Sequence, residues 1–424
     1  MILFLVKGLL RDRTRSLFPC LVVAAGVMLT VLLYSYIKGS ENDIIQASAS
    51  LVSGHVDVVT RSFAHEEDQV PNDLALLGLD DLLSELRQKW PDLILTPRIR
   101  FAGLLDVPDA EGQTRAQGSV VGLAVDLIDP ESPEHAVLNL TDALVSGHLP
   151  AAPGEILLSE IFASRLGVSR GETVTLISTT MHGSLATANF TVVGTVRFGV
   201  SAVDRGALLA DVGDIQWALD MQDGASEVLG FFPDLVYRPD AAREIADAFN
   251  AQYTTNLGPF VPLMRTLRDH SGLAETLDLA NAVGTAVVAL FVVVMSIVLW
   301  NAGLMGSLRR FGEFGVRLAI GENKIHLYRS LLVESLVIGL TGSVLGTALG
   351  LMASTYLQVH GMDISGLLKN SSMMISDVLR ARVTPTSWVI GFVPGILATL
   401  LGAAVSGLGV FRRRTADLTK ELQT

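Results

Sequence analysis

The sequence predicts an α-helical membrane bundle of four transmembrane helices in a 1+3 arrangement, with a large α+β extracytoplasmic domain between helices 1 and 2. A long polar stretch separates the first apolar run of the chain from three later ones, and basic residues lie beside the runs. Each run lacks Asp, Glu, Lys and Arg and reaches the roughly 20 residues that a helix needs to cross a bilayer. The runs are Ser16–Ile37, Leu279–Leu308, Ser335–Gln358 and Val383–Phe411.

Charge is distributed very unevenly along the chain. Residues 38–275 contain 15 basic and 34 acidic side chains, whereas Lys and Arg cluster in the short segments 7–15, 309–329 and 412–414. Because an excess of Lys and Arg in short loops marks the cytosolic side, we expect both termini inside the cell and the large domain outside. The acidic domain also disfavours nucleic-acid binding, since phosphate contacts need Lys and Arg.

Each segment therefore has an expected place. The first run is predicted to be a retained membrane anchor, because no small-residue cleavage site follows it. The predicted segments are a cytosolic segment at 1–15, transmembrane helix 1 at 16–37, the outer domain with helical stalks at 38–276, transmembrane helix 2 at 279–304, a cytosolic segment at 305–330, transmembrane helix 3 at 331–358, a short outer loop at 359–384, transmembrane helix 4 at 385–411 and a cytosolic tail at 412–424.

The outer domain shows alternating strand and helix patterns. β-Branched runs bounded by turn residues predict strands at His55–Thr60, Leu93–Val107, Ser119–Val125, Glu155–Leu158, Thr173–Ser178, Asn189–Phe198 and Val228–Tyr237. Helices are predicted at Leu79–Trp90, Ser159–Leu166, Val212–Met221 and Ala241–Gln252. Ser159 is a good N-cap and Gly167 a good helix stop. This alternation indicates an α+β domain with two subdomains, divided near the turn-rich segment Ser146–Gly154.

Several kinds of chemistry have no motif in the chain. A phosphate-cradling Gly-x-x-x-x-Gly-Lys-Ser/Thr loop does not occur, so any ATP hydrolysis must belong to another chain. His-Glu-x-x-His and Gly-x-Ser-x-Gly are also missing, and the eight histidines have no ligand-like spacing. The apolar runs lack the acidic and basic residues of ion relays, which disfavours an ion-coupled carrier. The sequence therefore predicts neither a catalytic residue nor a bound cofactor or metal.

The segment between the second and third runs carries the most informative motif. It reads Gly306-Ser-Leu-Arg-Arg-Phe-Gly-Glu-Phe-Gly-Val-Arg-Leu-Ala-Ile-Gly321. Glu313 and Arg317 have the i,i+4 spacing and order that favour a helical ion pair. One interpretation is an amphipathic helix that rests on the membrane interface. The other is a helix that docks into a groove of a cytosolic partner.

Glycines recur every four residues in the third run, at Gly342, Gly346 and Gly350. Such a face lets two helices approach closely. Packing within one subunit is favoured over a contact between two subunits.

On these residues the sequence resembles the MacB/FtsX superfamily of ABC transporter permeases. Members of that family carry Arg, Glu, Gly, Arg and Gly at matching steps after their second span, here Arg310, Glu313, Gly315, Arg317 and Gly321. The acid-containing, glycine-rich start of the third span, the basic tail at 412–422 and the 1+3 layout also resemble the family. The resemblance implies that the 308–322 helix couples the chain to an ABC ATPase subunit, which binds the ATP and Mg²⁺.

Within that family, the outer domain looks most like the LolC/LolE lipoprotein-releasing permeases. The similar stretches are Gly54–Val59, Gly154–Ser159, Leu166–Leu176, Phe190–Gly194 and Asp204–Met221. One feature departs from that pattern: the hairpin at Ser178–Ala188 is short and has no proline. In the permease that recruits a periplasmic carrier the corresponding hairpin is extended and contains proline, so the departure disfavours carrier recruitment by this loop.

The resemblance implies a bacterial inner-membrane, multi-pass subunit whose large domain lies in the periplasm and whose termini are cytosolic. The expected partners are the ATPase subunit, a second permease subunit that is either a copy or a paralogue, membrane lipids and a periplasmic carrier or adaptor. Extraction of lipoprotein or lipid is the first expectation for the function. MacB-like efflux of a peptide or antibiotic and FtsX-like regulation of a cell-wall hydrolase stay open. Substrate-facing positions are expected at the outer ends of spans one and two, at Tyr34, Ile37, Leu277 and Val283.

Overall fold

The computed structural model describes residues 13–198, 203–253, 258–270, 272–308, 311–363 and 378–412. The chain divides into two compact units. The helical unit comprises Met1–Asn42, Asp278–Ile364 and Val378–Thr424, and the sheet unit comprises Asp43–Leu277 and Ser365–Asp377. Because the division falls inside two long helices, the end of the first and the start of the second belong to the sheet unit.

The α-helices of the described residues are numbered in chain order. They are α1 Arg13–Ser48, α2 Arg61–Glu66, α3 Leu79–Lys89, α4 Glu134–Val137, α5 Leu140–Ala143, α6 Glu160–Leu166, α7 Val212–Ala218, α8 Pro239–Asn250, α9 Leu273–Leu308, α10 Phe311–Ala319, α11 Lys324–His360 and α12 Thr399–Arg412. A π-helical turn at Ala49–Ser53 extends α1. A 3₁₀ turn at Pro385–Trp388 and a π-helical turn at Val393–Ala398 precede α12.

The strands are numbered in the same way. They are β1 Val56–Thr60, β2 Leu76–Leu77, β3 Ile94–Pro108, β4 Thr114–Val125, β5 Leu144–Gly147, β6 Glu155–Ser159, β7 Thr173–Thr179, β8 Leu185–Val196, β9 Ala207–Asp211, β10 Gly224–Ala225, β11 Glu227–Phe231, β12 Pro262–Thr266, β13 Met362–Asp363 and β14 Val378–Leu379.

The helical unit contains the segments that could cross a membrane. Four helices are long and apolar enough to do so by length and composition: Leu17–Ser53, Leu273–Asn301, Lys324–His360 and Pro385–Leu408. They coincide with the four charge-free runs of the sequence. Between them lies an apolar core to which α1 contributes Val23, Val27 and Val31, and α9 contributes Leu299.

The described end of the connection from α11 to α12 contacts α1. β13 and β14 pair at Met362 with Leu379, and contacts with α1 follow at Arg382 and Ser387. The amide of Arg382 donates to the carbonyl oxygen of Ser35 at 2.8 Å. The side chain of Ser35 donates to Ser387 at 3.2 Å, which also joins α1 to the 3₁₀ turn that precedes α12.

Six strands of the sheet unit close into a barrel. The pairing runs from β3 to β4, β9, β6, β8 and β7, and β7 pairs with β3 again. The β4–β9 and β6–β8 pairs are parallel, and the other four pairs are antiparallel. Each of these six strands therefore has a hydrogen-bonding partner on both sides.

Alternate side chains of these strands fill the barrel, because successive residues of a strand point to opposite faces. Along β8, for example, Ala186, Ala188, Phe190 and Val192 are buried in one cluster, to which α6 adds Phe162. Gly122 of β4 leaves room for the ring of Phe101, which a Cβ atom at residue 122 would overlap. The barrel is thus a packed core rather than a pore.

Strand β3 extends beyond the barrel into a second, four-stranded part of the sheet. Residues 94–98 pair with β11, and residues 99–108 pair with β4. The strand order in the second part is β12-β1-β11-β3. Helices α3 and α8 cover one of its faces through Leu82, Leu86 and Phe249. The opposite face carries Leu229 and Phe231 in a separate apolar cluster.

The predicted strands and helices of this domain are present, with shifted ends. The N-cap at Ser159 is confirmed, since its hydroxyl accepts from the amide of Phe162, and Gly167 ends α6 with a left-handed φ of 65°. β8 begins at Leu185 instead of Asn189. β11 ends at Phe231 instead of Tyr237, because a turn follows in which the amide of Leu235 donates to the carbonyl oxygen of Phe232.

The predicted subdomain boundary at Ser146–Gly154 is wrong. β5 ends inside this segment and β6 follows it, and both strands pair with β8. The two parts of the sheet are instead each assembled from distant stretches of chain and joined through β3. The sequence analysis also did not predict β5, β9 and β12. Of these, β9 lies between β4 and β6, and β12 pairs with β1, which is far from it in the chain.

Candidate functional site

The segment predicted to couple the chain to a partner folds as helix α10. Glu313 lies in its first turn and Arg317 in its last turn, where an acid and a base each suit the helix dipole. Phe314 is buried against Leu327, Leu331 and Ala403. The helix is thus anchored to α11 and α12 through one aromatic side chain, and the ion pair that the spacing of Glu313 and Arg317 favours stays a prediction.

The opposite side of this segment is accessible. Val316 and Ile320 are exposed, with 82% of the Ile320 side chain accessible. Arg317 is also exposed. Val316 and Arg317 are exposed on a helix held by a buried phenylalanine, and Ile320 is exposed in the turn that follows it; such a segment suits either a lipid surface or an apolar groove on a partner.

A tight turn separates α10 from α11. Gly321 has a φ of 102°, a left-handed backbone conformation that favours glycine, and no atom lies within 4 Å of the place where a Cβ would be. Its amide donates to the carbonyl oxygen of Leu318 at 3.1 Å. Asn323 then caps α11 by accepting from the amide of Ile325. The requirement for glycine at 321 is therefore one of backbone conformation.

The structure places four of the five predicted coupling residues on this segment: Glu313, Gly315, Arg317 and Gly321. Arg310 and the tail from 413 to 424 lie outside the described residues. Gly315 is buried beside Phe314. The described members of the motif therefore divide into a buried glycine, a turn glycine and charged residues at the two ends of the helix.

The glycine face of α11 packs against α1 of the same chain. A Cβ at Gly342 would lie 2.7 Å from Cβ of Val23, and one at Gly350 would lie 2.9 Å from Cβ of Val31. A Cβ at Gly346 would overlap the carbonyl oxygen of Ala24. These contacts lie within one subunit, which is the packing that the sequence favours.

The four residues expected to face a substrate differ in exposure. Tyr34 and Ile37 are half-buried on α1, and Val283 is 53% exposed on α9. Leu277 is 7% exposed and packs in the apolar cluster of the sheet unit with Leu267. Its burial disfavours a substrate contact, because a core side chain cannot reach a ligand without unfolding its surroundings.

The sequence reading missed a buried ion cluster in the sheet unit. Asp57 of β1 accepts from Nη2 of Arg265 at 2.8 Å and lies 3.1 Å from Nε2 of His270. Glu67 accepts from Nη1 of Arg265 at 2.7 Å and lies 3.4 Å from Nδ1 of His270. We call these four residues the β1–β12 ion cluster. Their side chains are at most 10% exposed.

The contacts in this cluster determine its protonation. Burial alone would lower the pKa of His270, but the charge of Asp57 and hydrogen bonds to Asp57 and Glu67 outweigh it and raise the pKa to about 9. Glu67 is also desolvated, yet its contacts with His270 and Arg265 hold its pKa well below the usual range. His270 is therefore protonated and Glu67 ionised at neutral pH.

Two further ionisable groups are buried on the same part of the sheet. Arg98 and Glu134 form a bidentate pair at 2.7 and 2.8 Å, and both side chains are fully buried. Glu227 of β11 is fully buried as well, and neither of its carboxyl oxygens has a hydrogen-bond partner among the described residues. Burial raises the pKa of Glu227. The only sequence signal on β1 and β11 was a single acidic residue, Asp57 or Glu227, within each otherwise uncharged strand.

Metal ligation has no support in the part of the chain that the structure describes. No group of three or more His, Cys, Asp or Glu side chains there could hold a metal ion.

The C-terminal part of the chain is similar to a known protein family. Residues 285–414 match the family model described as FtsX-like permease C-terminal. The match includes most of α9 and all of α10, α11 and α12. The chain is also similar to a solved structure, the periplasmic region of MacB from Actinobacillus actinomycetemcomitans, with 14% identity and a TM-score of 0.35 over 53% of this chain and 94% of that chain. No curated protein matches the chain.

Proposed function

We propose that the chain is the membrane subunit of an ABC transporter, in which helix α10 receives motion from a separate ATPase subunit. The observation that carries this proposal is α10 and the turn after it: the helix is anchored by Phe314, and Val316 on the helix and Ile320 in the turn are accessible, inside the region that matches FtsX-like permeases. A helix of this kind can dock into a groove and pass force to the two long helices beside it. The chain itself supplies no ATPase motif.

The proposed arrangement places the four long helices in the bacterial inner membrane and the sheet unit in the periplasm. The basic segments beside the helices support cytosolic termini. α1 and α9 both continue into the sheet unit, so tilting of either helix has a covalent route to that unit. Work would then be done on a substrate outside the membrane, without a charged path through the helices.

Extraction of lipoprotein or lipid from the inner membrane is the substrate class that we propose first. The resemblance of the outer domain to lipoprotein-releasing permeases supports it. The half-buried side chains of Tyr34 and Ile37 would contribute apolar surface near the outer end of α1. Efflux through a periplasmic adaptor and regulation of a cell-wall hydrolase are the alternatives that the first experiment distinguishes.

The first experiment is purification of the tagged chain from its native membrane in mild detergent, followed by identification of the bound proteins and lipids. Recovery of an ATPase with an acylated protein or lipid supports extraction. An ATPase with a cell-wall hydrolase indicates the regulatory function, and an ATPase with an adaptor indicates efflux. Recovery of the folded chain without any ATPase contradicts the proposal.

The coupling role of α10 is tested with charge changes on its accessible side. We expect Arg317→Glu or Glu313→Ala to lower ATP turnover of the purified complex about tenfold, since the loss of one contact at the centre of an interface costs about 1.4 kcal/mol or more. Arg170→Glu makes the same charge reversal at an exposed residue of the sheet unit and serves as the control. Equal ATP turnover in the Arg317→Glu and Arg170→Glu variants would contradict docking through α10.

A further inference from the structure

The β1–β12 ion cluster lies at the two ends of the chain segment that forms the sheet unit. β1 is the first strand after α1, and β12 is the last strand before α9. The two strands are antiparallel neighbours, with Asp57 directly opposite Arg265. The cluster therefore joins the strand that follows one long helix to the strand that precedes the other.

The geometry of His270 shows why the four charges act together. Each of its ring nitrogens lies near a carboxylate, Nε2 near Asp57 and Nδ1 near Glu67. Only the doubly protonated ring donates from both nitrogens, because the neutral ring would turn a lone pair toward one of the carboxylates. Arg265 contacts the same two carboxylates. Loss of any one of the four groups leaves buried charge without its partner, which is costly.

An apolar layer connects the same two chain ends. Ala49, in the turn that ends the first long helix, packs in one cluster with Leu267 after β12 and Leu277 in the first turns of α9. The three side chains are at most 7% exposed. The contact is thus dry. The ion cluster is itself at most 10% exposed, so solvent screens its charges poorly.

The other charges that face this region do not replace the cluster. Glu227 approaches from β11, where its charged form would repel Asp57 and attract His270. Arg98 approaches from β3, but Glu134 binds its Nε and Nη2 atoms, and the carbonyl oxygen of Ser50 accepts from Nη1. His270, which follows β12, lies near the carboxylates of both Asp57 and Glu67.

We propose that the β1–β12 ion cluster is a clamp that holds the end of α1 and the start of α9 together, so that the sheet unit moves as one body when either helix moves. The inference rests on the proposed function for its role in transport, and His270 is a positioning residue in it. Loss of the proton from His270 opens the clamp, because two carboxylates then face a ring with one donor.

The clamp predicts that the pairing of β1 with β12 becomes less stable as the pH rises. His270 has a higher pKa in the folded chain than its ordinary value of 6.5. Its stabilising contribution is therefore complete below pH 6.5 and is lost as the pH rises toward about 9. Peptides from β1 and β12 should exchange their amide hydrogens about tenfold to a hundredfold faster at pH 9.5 than at pH 6, after correction for the intrinsic rate.

The test follows hydrogen exchange by mass spectrometry in the full chain in detergent. In the unaltered chain, we expect the pH effect in β1 and β12 and not in β4 and β9 of the barrel, which serve as an internal control. H270Q should exchange as fast at pH 6 as the unaltered chain does at pH 9.5. H270K keeps a cation above pH 9 and should retain the protection at pH 9.5. A pH-independent exchange of β1 and β12 in the unaltered chain would overturn the clamp even if the variants fail to fold.

A second arm uses the complex with its co-purified ATPase. Addition of ATP should change exchange throughout the sheet unit of the unaltered complex, whereas in H270Q the change should be confined to the peptides of one helix end. A change that stays uniform in H270Q contradicts the clamp. If ATP changes nothing in the unaltered sheet unit, the proposed function fails, and the pH arm still decides the clamp by itself.

Discussion

The two units of the chain bury polar groups in different ways. In the sheet unit, Asp57, Arg98, Glu134, Glu227 and Arg265 are buried as ionisable side chains. In the described part of the helical unit, the buried polar side chains are hydroxyls: Thr30, Ser35, Ser330, Ser343, Thr347, Ser354, Ser387, Thr399 and Ser406. The sheet unit thus buries charged groups, most of them paired, in addition to hydroxyls such as those of Ser53 and Thr96, whereas the buried polar side chains in the described part of the helical unit are small and uncharged.

The difference follows from where a partner can be found. A hydroxyl on a helix can donate to the carbonyl four residues earlier, as Thr30 does to Gly26 and Thr399 does to Gly395, both at 2.8 Å. A buried charge needs a partner from another segment, and neighbouring strands provide one. A buried hydroxyl in the helical unit can therefore find its hydrogen-bond partner in its own helix, whereas a buried charge in the sheet unit needs a partner from another segment.

The largest expected effect is the loss of a buried charge pair. Glu134→Gln leaves the fully buried guanidinium of Arg98 without a carboxylate, so we expect the free energy of unfolding of the sheet unit to fall by about 3–5 kcal/mol. Hydrogen exchange of β3 and β11 in the full chain measures this loss. Glu172→Gln removes the same charge from the exposed pair with Arg115 and should cost less than about 1 kcal/mol. Similar losses in the two variants would contradict the importance of paired burial.

A smaller effect is expected in the helical unit from a side chain at a helix crossing. Gly346→Leu places carbon atoms where the backbone of Ala24 lies, and overpacking of this kind costs about 1–3 kcal/mol. The measurement is the temperature at which the detergent-solubilised chain loses its monodisperse peak in gel filtration. Ala348→Leu adds the same side chain on the exposed face of α11 and serves as the control. If both variants lose the peak at the same temperature, the glycine face is not required for the packing of α11 against α1.

The smallest expected effect is on stability and comes from Glu227, the buried carboxyl group of the sheet unit that has no hydrogen-bond partner among the described residues. The raised pKa of Glu227 means that the folded chain keeps the proton after the unfolded chain has released it. Its destabilising effect is therefore small below pH 4.5 and grows as the pH rises above that value. Glu227→Gln is neutral at every pH, so we expect a gain of about 1 kcal/mol at neutral pH and little change in acid. Urea-dependent proteolysis of the sheet unit at the two pH values tests this, and a loss of stability at neutral pH would show that the carboxylate form is bonded.

Much of the local structure could be predicted from the sequence, because its signals are local. The four long helices follow from charge-free runs, and α6 follows from Ser159 and Gly167 at its ends. The placement of Glu313 and Arg317 on one short helix follows from their i,i+4 spacing. Each of these depends on residues within a few turns of one another.

What could not be predicted depends on distant pairing. β9 is a short apolar strand that resembles its neighbours in composition, and nothing in it specifies insertion between β4 and β6. Asp57 and Arg265 of the ion cluster are in contact but are separated by most of the sequence of the sheet unit, so neither residue indicates the other in the sequence. The false boundary at 146–154 arose for the same reason, since turn residues mark the end of an element and not the end of a domain.

The closed ring of strands has a consequence for the order in which the chain can fold during synthesis. β4 and β6 are complete once residue 159 has emerged, but the strand that lies between them, β9, ends only at Asp211. Until then each presents an unpaired edge, which is the surface through which nascent chains aggregate. A chain interrupted between residues 159 and 207 would keep those edges open permanently, so any protective factor would be needed during that interval of translation.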